Sequence, residues 1–212
     1  TFGTNTTADI DVSAANISVQ NMIFVANVAD VATCFEVAAA KDFTVEHCEF
    51  RDTSASLNFI NVIDTNAVAN DADGLYFCHN RILGLGTTAA TSAIDIDEGQ
   101  SRITVNDNFV VMAVLNNTPA LLDLSSFNML SLEVARNIVF RPNTDTATGG
   151  ILLEGTGAAM TGMVYHNHCK TLDVAGMLIM TLTSALGFHE NYLSGTADVS
   201  GLLIPAADSD AS

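Results

Sequence analysis

One apolar residue closes a short alternating stretch again and again along this chain, at intervals that drift between 24 and 32 residues, and the drift excludes most repeat folds. It is Val19 in NISVQNMIF, Val45 in DFTVEHCEF, Phe77 in GLYFCHNRI, Val105 in RITVNDNFV, Val134 in SLEVARNIV, Val164 in GMVYHNHC and Phe188 in ALGFHENYL. Five residues later come Phe24, Phe50, Ile82, Val110, Val139, Cys169 and Leu193; two residues earlier come Ile17, Phe43, Leu75, Ile103, Leu132 and Leu186, with Gly162 breaking that column. A helical repeat of changing length would rotate its apolar face out of line. A coil of short strands absorbs the change, because extra residues bulge out at the turns while the strands stay stacked. A second alternating strand lies upstream in each unit: Ile10/Val12, Phe35/Val37, Ile60/Val62, Ile94/Ile96, Leu122/Leu124, Ile151/Leu153, Leu178/Met180 and Leu202/Ile204. Period-two alternation marks strands with one buried face. Each unit reads as strand, variable turn, strand, tight corner, short strand. That is one rung of an all-β, single-stranded right-handed parallel β-helix, a solenoid of about seven rungs and a fraction in one domain over residues 1–212.

The third residue after each anchor is Met22, Cys48, and then Asn80, Asn108, Asn137, Asn167 and Asn191. Asparagine tolerates the left-handed backbone of a sharp corner, and amides stacked at the rung spacing of about 4.8 Å donate to and accept from their neighbours. The sequence therefore predicts a structural asparagine ladder rather than a row of sugar-binding amides.

With 24 Asp and Glu against 7 Lys and Arg, the formal net charge is −17, which repels phosphate backbones and anionic lipid. Nucleic acid and membrane are not expected partners, and no apolar run approaches the length of a spanning helix. Cys34, Cys48, Cys78 and Cys169 lack metal or disulfide spacing and read as free thiols, which favours folding in the cytosol. Thr1 opens the chain without a signal pattern, so a longer parent protein with an N-terminal part ahead of this one is expected. Glycine-rich phosphate loops and nucleophile elbows are absent; Gly149, Gly150, Gly155 and Gly157 fit turns around a strand, and no cofactor is implied.

Three columns are candidate sites. Between the paired apolar residues of the upstream strand, the outward positions read Asp11, Glu36, Asn61, Asp95, Asp123, Leu152, Ile179 and Leu203. Carboxylates on adjacent rungs bracket glycosidase separations, so Asp95 and Asp123 are the alternative catalytic pair on what otherwise reads as a solvated acidic face. Leu152, Ile179 and Leu203, if outward, form an apolar strip for an oligomer interface. Two residues after the anchors stand Asn21, His47, His79, Asp107, Arg136, His166 and Glu190; of these, His47, His79 and Asp107 are an alternative metal-binding set, against the plainer reading of a soluble corner.

The alternation closed by N-x-[IVF] resembles the right-handed parallel β-helices of the pectate-lyase-like superfamily. More narrowly, ADIDVSAANISVQNMIFVANVADV, FTVEHCEFRD, NFINVIDTNA and SGLLIPAADSD resemble uncharacterised tailed-phage β-helix virion proteins. Of the polygalacturonase elements only Asn143-Thr144-Asp145 is matched; D-D and G-H-G are missing. None of Lys41, Arg51, Arg81, Arg102, Arg136, Arg141 and Lys170 falls in a carboxylate cluster by alignment, as a lyase base beside bound Ca²⁺ would. The resemblance implies a non-enzymatic virion component, decorating the capsid or associated with the tail. It would be assembled in the host cytoplasm as a homo-oligomer, commonly a trimer, among other virion proteins. The alternative it leaves is a tailspike-like enzyme acting on a surface polysaccharide; an exported adhesin fits the cysteines poorly.

Overall fold

The protein is described by a computed structural model that covers residues 8–65, 68–85, 90–114, 119–124, 128–142, 152–155, 159–171, 178–180 and 185–195. Strands stack in three all-parallel sheets, and the chain visits the sheets in turn on each circuit. The first sheet holds Ala8–Val12, Val31–Val37, Phe59–Thr65, Ile94–Ile96, Leu122–Asp123, Leu153–Gly155 and Leu178–Met180. The second runs from Ser18–Gln20 through Thr44–Glu46, Tyr76–Cys78, Thr104–Asn106, Met129–Ala135 and Met160–Tyr165 to Ala185–His189; Gln100–Ser101 adds a short side pairing. The third holds Ile23–Ala26, Glu49–Asp52, Arg81–Gly84, Phe109–Met112, Ile138–Arg141, His168–Thr171 and Tyr192–Gly195. This is a parallel β-solenoid. Its first and third sheets stack seven strands each, so five turns are sandwiched on both sides. That is slightly fewer complete turns than the sequence suggests, and the pair Leu202/Ile204 lies outside the described residues.

The anchor column is in continuous register from Val19 through Val45, Phe77, Val105, Val134 and Val164 to Phe188. From Val45 onward every anchor is buried, as are Phe50, Ile82, Val110, Val139 and Cys169 on the third sheet. The interior is one apolar cluster. Its first rungs carry a phenylalanine stack: Phe24 lies parallel to Phe50 at 5.1 Å between centroids, and Phe35 meets Phe50 edge-on at 6.0 Å. All four cysteines are buried, and none is in a disulfide among the described residues.

Gly162 breaks the apolar column for a steric reason. The strand Met129–Ala135 carries a bulge, with Ser131 at φ 59° and a register shift before Leu132. The Leu132 carbonyl then occupies the space a Cβ on residue 162 would need, and Gly162 itself sits at φ 136°.

The asparagine ladder spans the corner between the second and third sheets. Each Oδ1 accepts the backbone N–H of the ladder residue one rung earlier: Asn80 from Cys48, Asn108 from Asn80, Asn137 from Asn108, Asn167 from Asn137 and Asn191 from Asn167, at 2.9–3.1 Å. Each Nδ2 reaches back to the preceding rung's anchor carbonyl, as Asn137 does to Val105 at 2.8 Å. From Asn108 onward Nδ2 also donates forward, to Oδ1 of Asn137, Asn167 and Asn191 in succession. The ladder residues do not take the left-handed backbone expected of them. That conformation falls on the residue before each one, because the backbone N–H of the ladder residue must face the next rung's amide.

Asn137→Ala strips both amide groups from the middle of this stack and leaves buried partners unpaired on two rungs, at about 1–3 kcal/mol each. Chemical denaturation is expected to show a larger loss of stability for Asn137→Ala than for Asn191→Ala, whose ladder contacts are only part-buried.

Candidate functional site

The corner residues preceding the ladder form an outward column, every one at positive φ: Asn21 (56°), His47 (53°), His79 (58°), Asp107 (58°), Arg136 (55°), His166 (55°) and Glu190 (46°). One backbone constraint thus lines up side chains of different chemistry at the rung spacing. The structure splits the predicted metal set. His47 and His79 lie tilted against each other, ring centroids 4.9 Å apart and planes at 36°, but Asp107 turns to the next rung, where Arg136 donates to both its carboxylate oxygens at 2.8 Å. That bidentate pair holds the Asp107 carboxyl below its ordinary range. Arg136 also donates to the Tyr165 hydroxyl, which donates to Glu133 at 2.6 Å. The carboxylate that the fold brings within 4.8 Å of both imidazoles is instead Glu46, the last residue of the second-sheet strand in that rung.

The acidic column follows a different register from the one read off the sequence. Strand pairing runs Asp11, Glu36, Asp64, Asp95, Asp123, Glu154 and Ile179. Asn61 is not in it: it pairs with Thr33 and is buried, its Nδ2 donating to the Ser92 carbonyl and its Oδ1 accepting from Thr91. Nor is Leu152, whose relative exposure is 0%. In the first-sheet layer the alternation breaks, so that neighbouring residues are both buried, as Cys34 and Phe35, Val62 and Ile63, and Leu152 and Leu153 are. Leu152 thereby joins the buried set of Cys34, Val62, Ala93 and Leu121. The predicted outward strip of Leu152, Ile179 and Leu203 is therefore corrected. Leu152 is core, Ile179 continues the acidic register, and Leu203 lies outside the described residues. The signal for both shifts was present, since Ile63-Asp64-Thr65 and Leu153-Glu154-Gly155 repeat the apolar-acid pattern of Ile94-Asp95-Ile96.

Asp95 and Asp123 are register partners on adjacent rungs. Burial, reinforced by Asp123, Asp97 and Asp64, pushes the Asp95 carboxyl up to about 7; burial, with Asp97 and Glu36, raises Asp64 to about 6. Each leaves one buried oxygen, Oδ1, without a hydrogen bond among the described residues. Four of the arginines weighed as lyase bases pair with surface carboxylates: Arg51 and Arg81 with Glu49, Arg102 with Asp42 and Arg136 with Asp107. Asn143-Thr144-Asp145 lies outside the described residues.

Sequence reasoning missed the outer face of the third sheet. Ile23 (59% exposed), Phe109 (41%), Ile138 (51%) and Tyr192 (55%) share one outward column with Glu49, Arg81 and His168. Half-buried Leu83, Val111 and Phe140 flank it, so Phe109, Ile138, Val111 and Phe140 form a continuous apolar surface over two rungs. At its far end Lys170 lies over the Phe140 ring and His168 stacks on Tyr192. The signal was the run after two of the ladder asparagines, Phe109-Val110-Val111-Met112 and Ile138-Val139-Phe140, where the odd positions are apolar as well as the even ones.

Comparison with protein-family models, curated proteins and solved structures yields no match for this chain.

Between about pH 4 and pH 7 the folded chain holds protons on Asp95 and Asp64 that the unfolded chain has released, so their contribution to stability falls as pH rises through that window. Asp95→Asn is expected to raise the melting temperature above pH 7, by a gain on the order of 1 kcal/mol, and to flatten the decline between pH 4 and 7. Thermal melts across that range check it.

Proposed function

We propose that this chain is a non-enzymatic structural protein of a tailed-phage virion, decorating the capsid or associated with the tail, in which copies of the solenoid pack through the outer face of the third sheet. The observation that carries the assembly is the contiguous exposed apolar surface of Phe109, Ile138, Val111 and Phe140. A second copy is the occupant that the charge distribution favours. The chain as a whole is at −17, whereas the outward side chains of this face include Arg51, Arg81 and Lys170 against Glu49. Two copies meeting here avoid the acid-on-acid repulsion that the first sheet would impose. The virion setting rests on the sequence resemblance, and the solenoid supplies what such a role needs: a rigid body whose acidic remainder discourages non-specific association.

Light scattering on the wild type should give a multiple of 22.3 kDa that persists on dilution. Phe109→Asp, Ile138→Asp should give a monomer with an unchanged far-ultraviolet circular dichroism spectrum. A wild-type monomer at micromolar concentration sinks the interface.

One observation favours a second reading, a tailspike-like polysaccharide-degrading enzyme. Asp95, its carboxyl pushed up to about 7 beside Asp123, is still partly protonated at neutral pH next to a second carboxyl, as a glycosidase acid needs. Under that reading the wild type releases reducing ends from a bacterial surface polysaccharide and Asp95→Asn releases at least about 100-fold fewer. Equal release by the two proteins ends the assignment.

A further inference from the structure

We infer that Glu46, His47 and His79 form a binding site for one divalent transition-metal ion of the zinc class, clamping two successive rungs from outside. Glu46 and His47 end one second-sheet strand and turn its corner; His79 turns the corner of the next rung, placed over His47 by the pairing of Glu46 with Cys78. One donor atom from each of the three lies within 4.8 Å of the other two. Ligands of a tetrahedral zinc ion stand about 3.3 Å apart, so side-chain rotation closes the set without moving the backbone. Among the described residues neither imidazole has a hydrogen-bond partner, which leaves their nitrogens available, and the two rings already lie 4.9 Å apart, tilted at 36°. Glu46 is oriented as a ligating carboxylate usually is: Gln20, one rung earlier, donates to its Oε2 at 2.9 Å and leaves Oε1 to the metal.

Two imidazoles with one carboxylate select a borderline ion over Ca²⁺ or Mg²⁺, which require more oxygen ligands. The open depression beside the rings, about 410 Å³ and bordered by Met22, Glu49 and Arg81, leaves the fourth position to water. Asp107 is not a ligand, because Arg136 occupies both its oxygens.

The test is calorimetric titration of ZnCl₂ into the full, untagged chain, with thermal melts alongside. The wild type should bind one equivalent and melt at a higher temperature when loaded. His47→Asn and His79→Asn keep a residue suited to the left-handed corner, as Asn21 does in the same column, so both variants should fold. Each, like Glu46→Gln, should weaken binding about 100-fold or more, and Gln20→Ala about 10-fold, the range that outer-shell partners span. Asp107→Asn should bind as the wild type does. No saturable binding by the wild type, or equal affinity in His79→Asn, overturns the site, and so does loss of binding in Asp107→Asn with retention in Glu46→Gln. Phe109→Asp, Ile138→Asp should still bind zinc, which separates this inference from the oligomer interface.

Discussion

The amide of each central ladder asparagine, from Asn108 to Asn167, ties three rungs together, and the rest of the structure depends on that tie. Its Oδ1 takes a backbone N–H from the rung before, and its Nδ2 bonds the anchor carbonyl of that rung and, from Asn108 onward, the amide of the rung after. Unpaired, these buried groups would each cost about 1–3 kcal/mol, and a slip of one residue at the corner would orphan several at once. Register is therefore fixed at this corner, and the strand residues flanking it stay in step from Asn80 to Asn167, the bulge before Leu132 being absorbed upstream of the corner.

The same tie sets what the outside can present. Holding the ladder N–H toward the next rung forces the preceding residue into the left-handed region, where its side chain leaves the coil. Corner residues thus stack one above another whatever their chemistry: two histidines in one place, an Asp–Arg pair in the next. Where neighbours in this column are complementary they pair, as Asp107 and Arg136 do; where they are two imidazoles they stand ready for a cation instead.

The three faces divide the charge unevenly. The first sheet carries an unbroken row of acids from Asp11 to Asp123, two of them pushed toward neutrality by burial and by neighbouring carboxylates. The third sheet carries aromatic and aliphatic side chains with most of the nearby cations. The row of acids would repel a second copy of the chain, whereas the third sheet offers an apolar surface without that repulsion.

The parallel solenoid, the anchor columns and the asparagine ladder were legible in the sequence because they rest on fixed short spacings: period-two alternation and an asparagine three residues past the anchor. Spacings across the variable turns were not legible. The first-sheet strands lie beyond such turns, so only packing decides which residues enter the core. There the broken alternation turns Leu152 inward and leaves its acidic neighbour Glu154 in register with Asp123, while Asn61 is drawn in to satisfy Ser92 and Thr91. The partner of each corner residue was likewise a tertiary decision. Sequence order placed Asp107 beside His79, but a guanidinium fork on the following rung binds a carboxylate through two parallel hydrogen bonds, and Asp107 went to Arg136.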